Sequence, residues 1–411
     1  MDARQQRGLL IAQAKRVRSN GSTWQVHSQS QPGHHIVDYH AETCTCPDHE
    51  TTGRRCKHWF AVAYTWGKIE MPDGSEVEAA KVAAERVTYR QDWPRYNRAQ
   101  CAEKATVQAL LRGLCEGIVQ PPYRGRGRPP LPLADVVYGC TMKVYTGMSG
   151  RRATTDIREC EARGHVDRAP SYNSLFAAMA RPDLTPLLSS MVEASAAPLA
   201  AIERDFSVDA TGFATSTYAR WYDEKYGKDR RKQRWVKAHA MVGNETNIIT
   251  AIVVTEGSGG DSPEMPGLIE STARQFDVRE VQGDRAYLCH ANLDAITEAG
   301  AVPYIPFKSN STSHGSVGSE GSEAWRKMWL TYQLHRDEFL GHYHRRSNSE
   351  STFSAIKRLF GASVRSKKLA AQVNEVLCKA LAYNLTVITH SIYELGIAPR
   401  FGMSAVGADP G

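Results

Sequence analysis

Phe206-Ser207-Val208-Asp209-Ala210-Thr211-Gly212 alternates apolar residues with small or polar ones, the period of a strand that turns one face to a core. From Asp205 the chain changes texture. Strand candidates at 206–213, 236–242 and 248–255 follow in succession, then two more at 278–283 and 302–307, with helical patterns between and after the last three. Three consecutive strands followed by strand–helix units predict an α/β fold, a mixed sheet with flanking helices. The closing helix sets Val373, Val376, Leu377, Ala380, Leu381 and Leu385 at three- and four-residue steps, and Gly396 and Pro399 supply its stop signals.

Two aspartates lie at or near the ends of these strands: Asp209, and Asp284 at the close of Val281-Gln282-Gly283-Asp284. Such residues often only cap a turn. An acid among apolar strand residues nevertheless needs a counter-charge, and Mg²⁺ suits it because that ion prefers hard oxygen ligands. A third acid, Glu350, follows His342-Tyr343-His344-Arg345-Arg346-Ser347-Asn348-Ser349. If 343–357 is one helix, Tyr343, Arg346, Glu350 and Lys357 share an arc of about 60° and form a polar stripe. Phe353, Ile356 and Phe360 take the adjacent arc, which can face a core. A carboxylate flanked by two cations and a phenol fits a phosphate backbone, the acid for metal and the cations for phosphate. A surface helix with favourable charge pairs is the alternative.

The spacing of Tyr343, Arg346, Glu350 and Lys357 resembles the tyrosine–arginine–glutamate–lysine signature of a large group of bacterial insertion-sequence DDE transposases. Asp209 and Asp284, the latter in Gly283-Asp284-Arg285-Ala286-Tyr287, match the first and second acids of that group, over about residues 205–395. The resemblance implies an RNase H-like catalytic core and two-metal phosphoryl transfer with Mg²⁺ or Mn²⁺, Asp209, Asp284 and Glu350 being both catalytic residues and metal ligands. It implies cleavage at transposon ends, then attack by a freed 3′-hydroxyl on target DNA. Tyr343, Arg346 and Lys357 would position DNA, and a homodimer would hold paired ends. A nuclease that cuts without joining, and a DNA-binding protein with an inert core, remain alternatives.

Nearer the start, Cys44-Thr45-Cys46 and, nine residues on, Cys56-Lys57-His58 offer the four ligands of a tetrahedral structural zinc. Strand-like alternation at 24–27 and 35–38 precedes them, and an apolar helical run at 59–64 follows. The pattern resembles a SWIM zinc finger, a small ββα-type module, which implies one zinc per chain and a DNA or protein partner. His34, His35, His40 and His49 are surplus to it and read as surface residues.

Between these regions the sequence reads as mostly helical, with Val107, Leu110, Leu111, Leu114 and Ile118 at helix spacing and Ser171 as an N-cap. Arg124-Gly125-Arg126-Gly127-Arg128 lies in a Pro/Gly/Arg linker (121–132) and resembles an AT-hook, which would put Arg124, Arg126 and Arg128 in a minor groove. A flexible basic linker is the alternative. Residues 132–166, with Lys143, Arg151, Arg152 and Arg158, suit either a helix-turn-helix or core scaffolding. The cations of 225–237 suit a phosphate-tracking patch or a solvated face, and the Ser/Gly-rich 309–323 reads as a loop. Cys289 and His290 read as packing residues.

The expected organisation is therefore 1–75 zinc finger, 76–203 helical DNA-binding region, 204–396 catalytic domain and 397–411 tail. Lys plus Arg exceed Asp plus Glu by 51 to 44, a mild excess that accommodates double-stranded DNA without requiring it. No apolar run approaches a membrane span, and the first twenty residues lack a signal-peptide core. The expectation is a cytoplasmic, nucleoid-associated prokaryotic protein with reduced thiols, and with no membrane partner.

Overall fold

The computed structural model describes residues 3–14, 16–20, 23–28, 33–66, 92–123, 125–127, 129–215, 235–257, 259–308, 310–313 and 322–401. Arg124, Arg128, most of the 225–237 cluster, most of the 309–323 segment and residues 402–411 of the tail lie outside them. The chain divides into two compact units, residues 1–91 and 92–411.

The first unit opens with α1 (Ala3–Gln13), followed by an antiparallel meander of β1 (Val17–Asn20), β2 (Thr23–His27), β3 (His34–Asp38) and β4 (Thr43–Cys44). Two helices close it, α2 (Pro47–Thr52) and α3 (Lys57–Thr65). That is more than the ββα module expected, since β1, β4 and α1 are too short or too polar to announce themselves by period. Ile11, Val26, Val37, Trp59 and Val62 form its core together with the three cysteines. Gly8 lets α1 approach α3 closely, because a Cβ there would fall 2.6 Å from Cβ of Phe60.

The second unit begins with five helices: α4 (Trp93–Cys115), α5 (Leu133–Tyr145), α6 (Gly150–Ala162), α7 (Tyr172–Met179) and α8 (Leu184–Ala196). Ser171 caps α7 by accepting from the Ser174 amide. β5 (Asp205–Ala214), β6 (Trp235–Gly243) and β7 (Ile249–Glu256) follow, then α9 (Met265–Ala273), β8 (Glu280–Gly283), α10 (His290–Glu298) and β9 (Val302–Tyr304). The chain ends in α11 (Glu323–Leu334), α12 (Arg336–Tyr343), α13 (Ser347–Phe360) and α14 (Leu369–Leu395).

The sheet order is β7-β6-β5-β8-β9, with β6 antiparallel to both β5 and β7 and with β5, β8 and β9 parallel. This is the mixed sheet with flanking helices that the strand pattern predicts, and all five strands fall where the alternation put them. The helical segment and the sheet share one apolar core, which runs from Leu111 and Met142 through Val236 and Ala240 to Leu381. Asn384 of α14 stitches them. Its amide donates to the carbonyls of Val192 and Ile249 and to Ser195 Oγ, and its oxygen accepts from the Ile249 amide. α5 is buried from Asp135 to Lys143, so it serves as scaffold, whereas Arg151, Arg152 and Arg158 of α6 are exposed.

Candidate active site

β5 and β8 run parallel with Val208 paired to Gly283, so the next residues along, Asp209 and Asp284, stand side by side where β8 ends. Each acid is held by the backbone that follows it. Asp209 Oδ1 accepts from the Ala210 amide at 2.8 Å, and Asp284 Oδ1 accepts from the Ala286 amide at 2.8 Å as the cap of a short 3-10 turn. Burial pushes the Asp209 carboxyl up. The Ala210 amide and Arg346 oppose that shift, and the neighbouring Asp284 charge adds to it.

Glu350 comes from the far side of the chain. The single helix expected over 343–357 is interrupted, because α12 ends at Tyr343 and residues His344–Arg346 form a 3-10 turn before α13 begins. The stripe survives the break. Arg346 donates through Nη2 to Glu350 Oε1 at 2.6 Å and through Nη1 to Asp209 Oδ2 at 3.3 Å. Ser349 adds a hydroxyl to Asp209 Oδ2 at 3.2 Å. Tyr343 lies beneath the guanidinium, its ring centroid 6.0 Å from Arg346 Cζ. Two turns farther along α13 than Glu350, Lys357 donates to Thr211 Oγ1 at 2.6 Å, and burial lowers its pKa. Glu350 itself is 60% exposed, so it reaches Asp209 through Arg346 rather than directly.

A polar ladder beneath these groups fixes the turn, and sequence reasoning did not find it. Asp205, only 2% exposed, accepts from Arg279 Nε at 2.8 Å and from Arg345 Nη1 at 2.6 Å. Glu280 meets His342 Nδ1 at 2.9 Å, and Gln282 accepts from Asn244, whose carbonyl receives the Asn348 amide at 2.6 Å. The available signal was the alternation of Asp205, Ser207 and Asp209, which puts three polar residues on one strand face.

The three carboxylates offer the hard oxygen donors that a divalent ion prefers. The Arg346 guanidinium bridges two of them, Asp209 and Glu350.

The cysteine–histidine cluster of the first unit assembles fully. Cys44 ends β4, Cys46 and Cys56 precede the first turns of α2 and α3, and His58 lies within α3; all four are buried. Their ligand atoms lie within 4.8 Å of one another. His58 Nδ1 is 3.8 Å from Cys44 Sγ and 3.9 Å from Cys56 Sγ. A tetrahedron with ordinary zinc bond lengths has a sulfur–nitrogen edge of about 3.6 Å, so the donor set fits zinc. His58 Nε2 is buried without a partner, and the His35 ring lies tilted against His58 with centroids 4.4 Å apart, so His35 packs on the cluster instead of standing free at the surface.

Of the weaker candidates, Arg126 is exposed, and its carbonyl accepts from the Tyr123 hydroxyl at 2.9 Å. Cys289 precedes α10 with its Sγ 3.4 Å from Ser262 Oγ, and His290 stacks on Trp325 at 4.2 Å, so His290 packs as expected. No described helix is long and apolar enough to cross a membrane.

Residues 201–385 match the family model for the transposase DDE domain. The mixed five-stranded sheet and its helices fit the RNase H-like fold of such domains. The match supports a transposase role in DNA transposition, and the family implies polynucleotidyl-transferase-type nuclease activity, use of divalent metals and binding to DNA.

Proposed function

We propose that this chain is a DNA transposase that cuts DNA at transposon ends and joins the freed 3′-hydroxyl to target DNA. Asp209, Asp284 and Glu350 hold the ions. The observation that carries this reading is the pairing of Asp209 with Asp284 at adjacent parallel positions, bridged to Glu350 by Arg346.

Two divalent ions, Mg²⁺ or Mn²⁺, would activate the attacking oxygen and stabilise the leaving oxygen of an in-line phosphodiester exchange. The chain's own residues set the stage for that chemistry. Asp209 and Asp284 are oriented by the Ala210 and Ala286 amides, and Arg346 and Ser349 hold the second oxygen of Asp209. Ser349 and Arg346 oppose the upward push that burial gives the Asp209 carboxyl. Were those carboxylates to hold metal, the Arg346 guanidinium would be free to pair with a DNA phosphate, with Lys357 and Tyr343 beside it.

In this reading residues 1–75 are a SWIM-type module with one structural zinc on Cys44, Cys46, Cys56 and His58. Residues 76–203, with the 121–132 linker, contribute to DNA binding, and 204–396 are the catalytic domain. Two copies act on paired ends.

The test incubates purified protein with Mg²⁺, labelled element-end DNA and a target plasmid. Joined products support the proposal. Cleavage without joining reduces it to a nuclease, and no cleavage in Mg²⁺ or Mn²⁺ sinks it.

A further inference from the structure

Asp209, Thr211 and Phe213 point to the same face of β5, at two-residue steps. Along that face the acids give way to cations. Lys357 meets Thr211 and lies 5.6 Å from the centroid of the Phe213 ring, and Lys379 Nζ of α14 lies 5.1 Å from the same centroid. Beyond Phe213 the face opens into a groove of about 1340 Å³ lined by Lys143, Arg365, Lys367 and Lys379.

Two of these cations are unusually placed. Lys379 is 1% exposed, and its ammonium donates to the carbonyls of Gly361 and Ser363, at 2.7 and 2.8 Å. Lys143 is 7% exposed and faces the groove from α5, and its ammonium has no acceptor or ion-pair partner among the described residues. That ammonium opens onto the groove, so an anion there can pair with it without displacing a protein partner. The acids on the walls do not supply that anion. Glu375 already accepts from the Arg365 and Ser366 amides and from Ser366 Oγ, and Glu256 is exposed at the rim.

We infer that this groove is a second phosphate-binding site, which takes the sugar–phosphate backbone of a DNA strand running on from the candidate catalytic carboxylates. The inference rests on the reading of those carboxylates given above. Continuity along one strand face favours DNA over an isolated small anion, because one polymer can meet Lys357 and the groove cations together.

The test uses the full chain and a short labelled DNA duplex, titrated over a salt series. Arg365 and Lys367 are exposed, so the double variant Arg365→Ala/Lys367→Ala should fold normally. It should lower the slope of log affinity against log salt by about 2, and Lys143→Met by about 1. Glu256→Gln should tighten binding. Arg326→Ala/Lys327→Ala, which removes two exposed cations of α11 away from the groove, should leave the slope unchanged. A wild-type slope in the Arg365/Lys367 variant overturns the inference, as does an equal fall in the α11 control. If those groove variants bind normally while wild-type protein still cuts DNA, the groove assignment fails and the carboxylate reading stands. If wild-type protein neither cuts nor binds DNA, both fail.

Discussion

Arg345 Nη1 donates to Asp205 Oδ2 at 2.6 Å, tying the 3-10 turn before α13 to the strand that carries Asp209. The two residues are 140 apart in sequence. The pair fixes where Arg346 and Glu350 emerge relative to Asp209, so a contact outside the acidic group governs its geometry.

Asp205→Ala leaves Arg279 and Arg345 without their buried acceptor. Both guanidiniums are half-exposed and regain water, so the loss costs about 1 kcal/mol, that of the missing bonds rather than of a stranded charge. The expected outcome is a small fall in Tm together with reduced DNA cleavage, read by thermal unfolding and a cleavage assay. An unchanged Tm would show that the ladder does not hold the turn.

Asp284→Asn should retain the fold, because an amide oxygen can still accept from the Ala286 amide. It removes one charged ligand and should cut DNA cleavage by about 1000-fold, equivalent to roughly 4 kcal/mol of transition-state stabilisation. DNA affinity in the absence of metal should not fall. Full cleavage by this variant would exclude Asp284 from the metal site.

Burial lowers the Lys379 pKa to about 8, with Arg365 and Lys143 adding to the shift and Glu375 opposing it. The folded value lies below the unfolded one, so the unfolded chain binds more protons between them. The penalty is therefore complete below about pH 8 and disappears as pH rises toward about 10.4, a gain near 3 kcal/mol. Denaturant unfolding of wild type and Lys379→Met across that window should show the gain in wild type alone. Parallel pH curves would contradict the assignment.

Protein purified without chelators should contain one zinc per chain. Cys46→Ser, or added chelator, should unfold the first unit, seen as loss of amide-exchange protection across 3–66, while the second unit keeps its own transition. A zinc-free chain with the same protection would remove the metal from the cluster.

The sheet was legible because each strand carries its own period-two pattern, and the cysteine cluster because its ligands lie close together in sequence. The acidic group was legible in outline, since Arg346, Glu350 and Lys357 follow helical spacing. Its supports were not. Arg345–Asp205 and His342–Glu280 join residues that no local pattern connects, and the 3-10 turn at 344–346 follows from those attachments rather than from propensity. The helical segment reads as separate because its patterns are self-contained, yet Asn384 and its neighbours sew it to the sheet.

That stitching sets an order for making the protein. α14 packs on α4, α5, α8 and β7, yet its first residue, Leu369, is made about 250 residues after α4 is complete. At roughly 5–20 residues per second, the apolar sides of the early helices wait some tens of seconds for the helix that covers them. Until then the nascent chain is a client for holding factors, and truncation before α14 should give an aggregating fragment rather than a smaller enzyme.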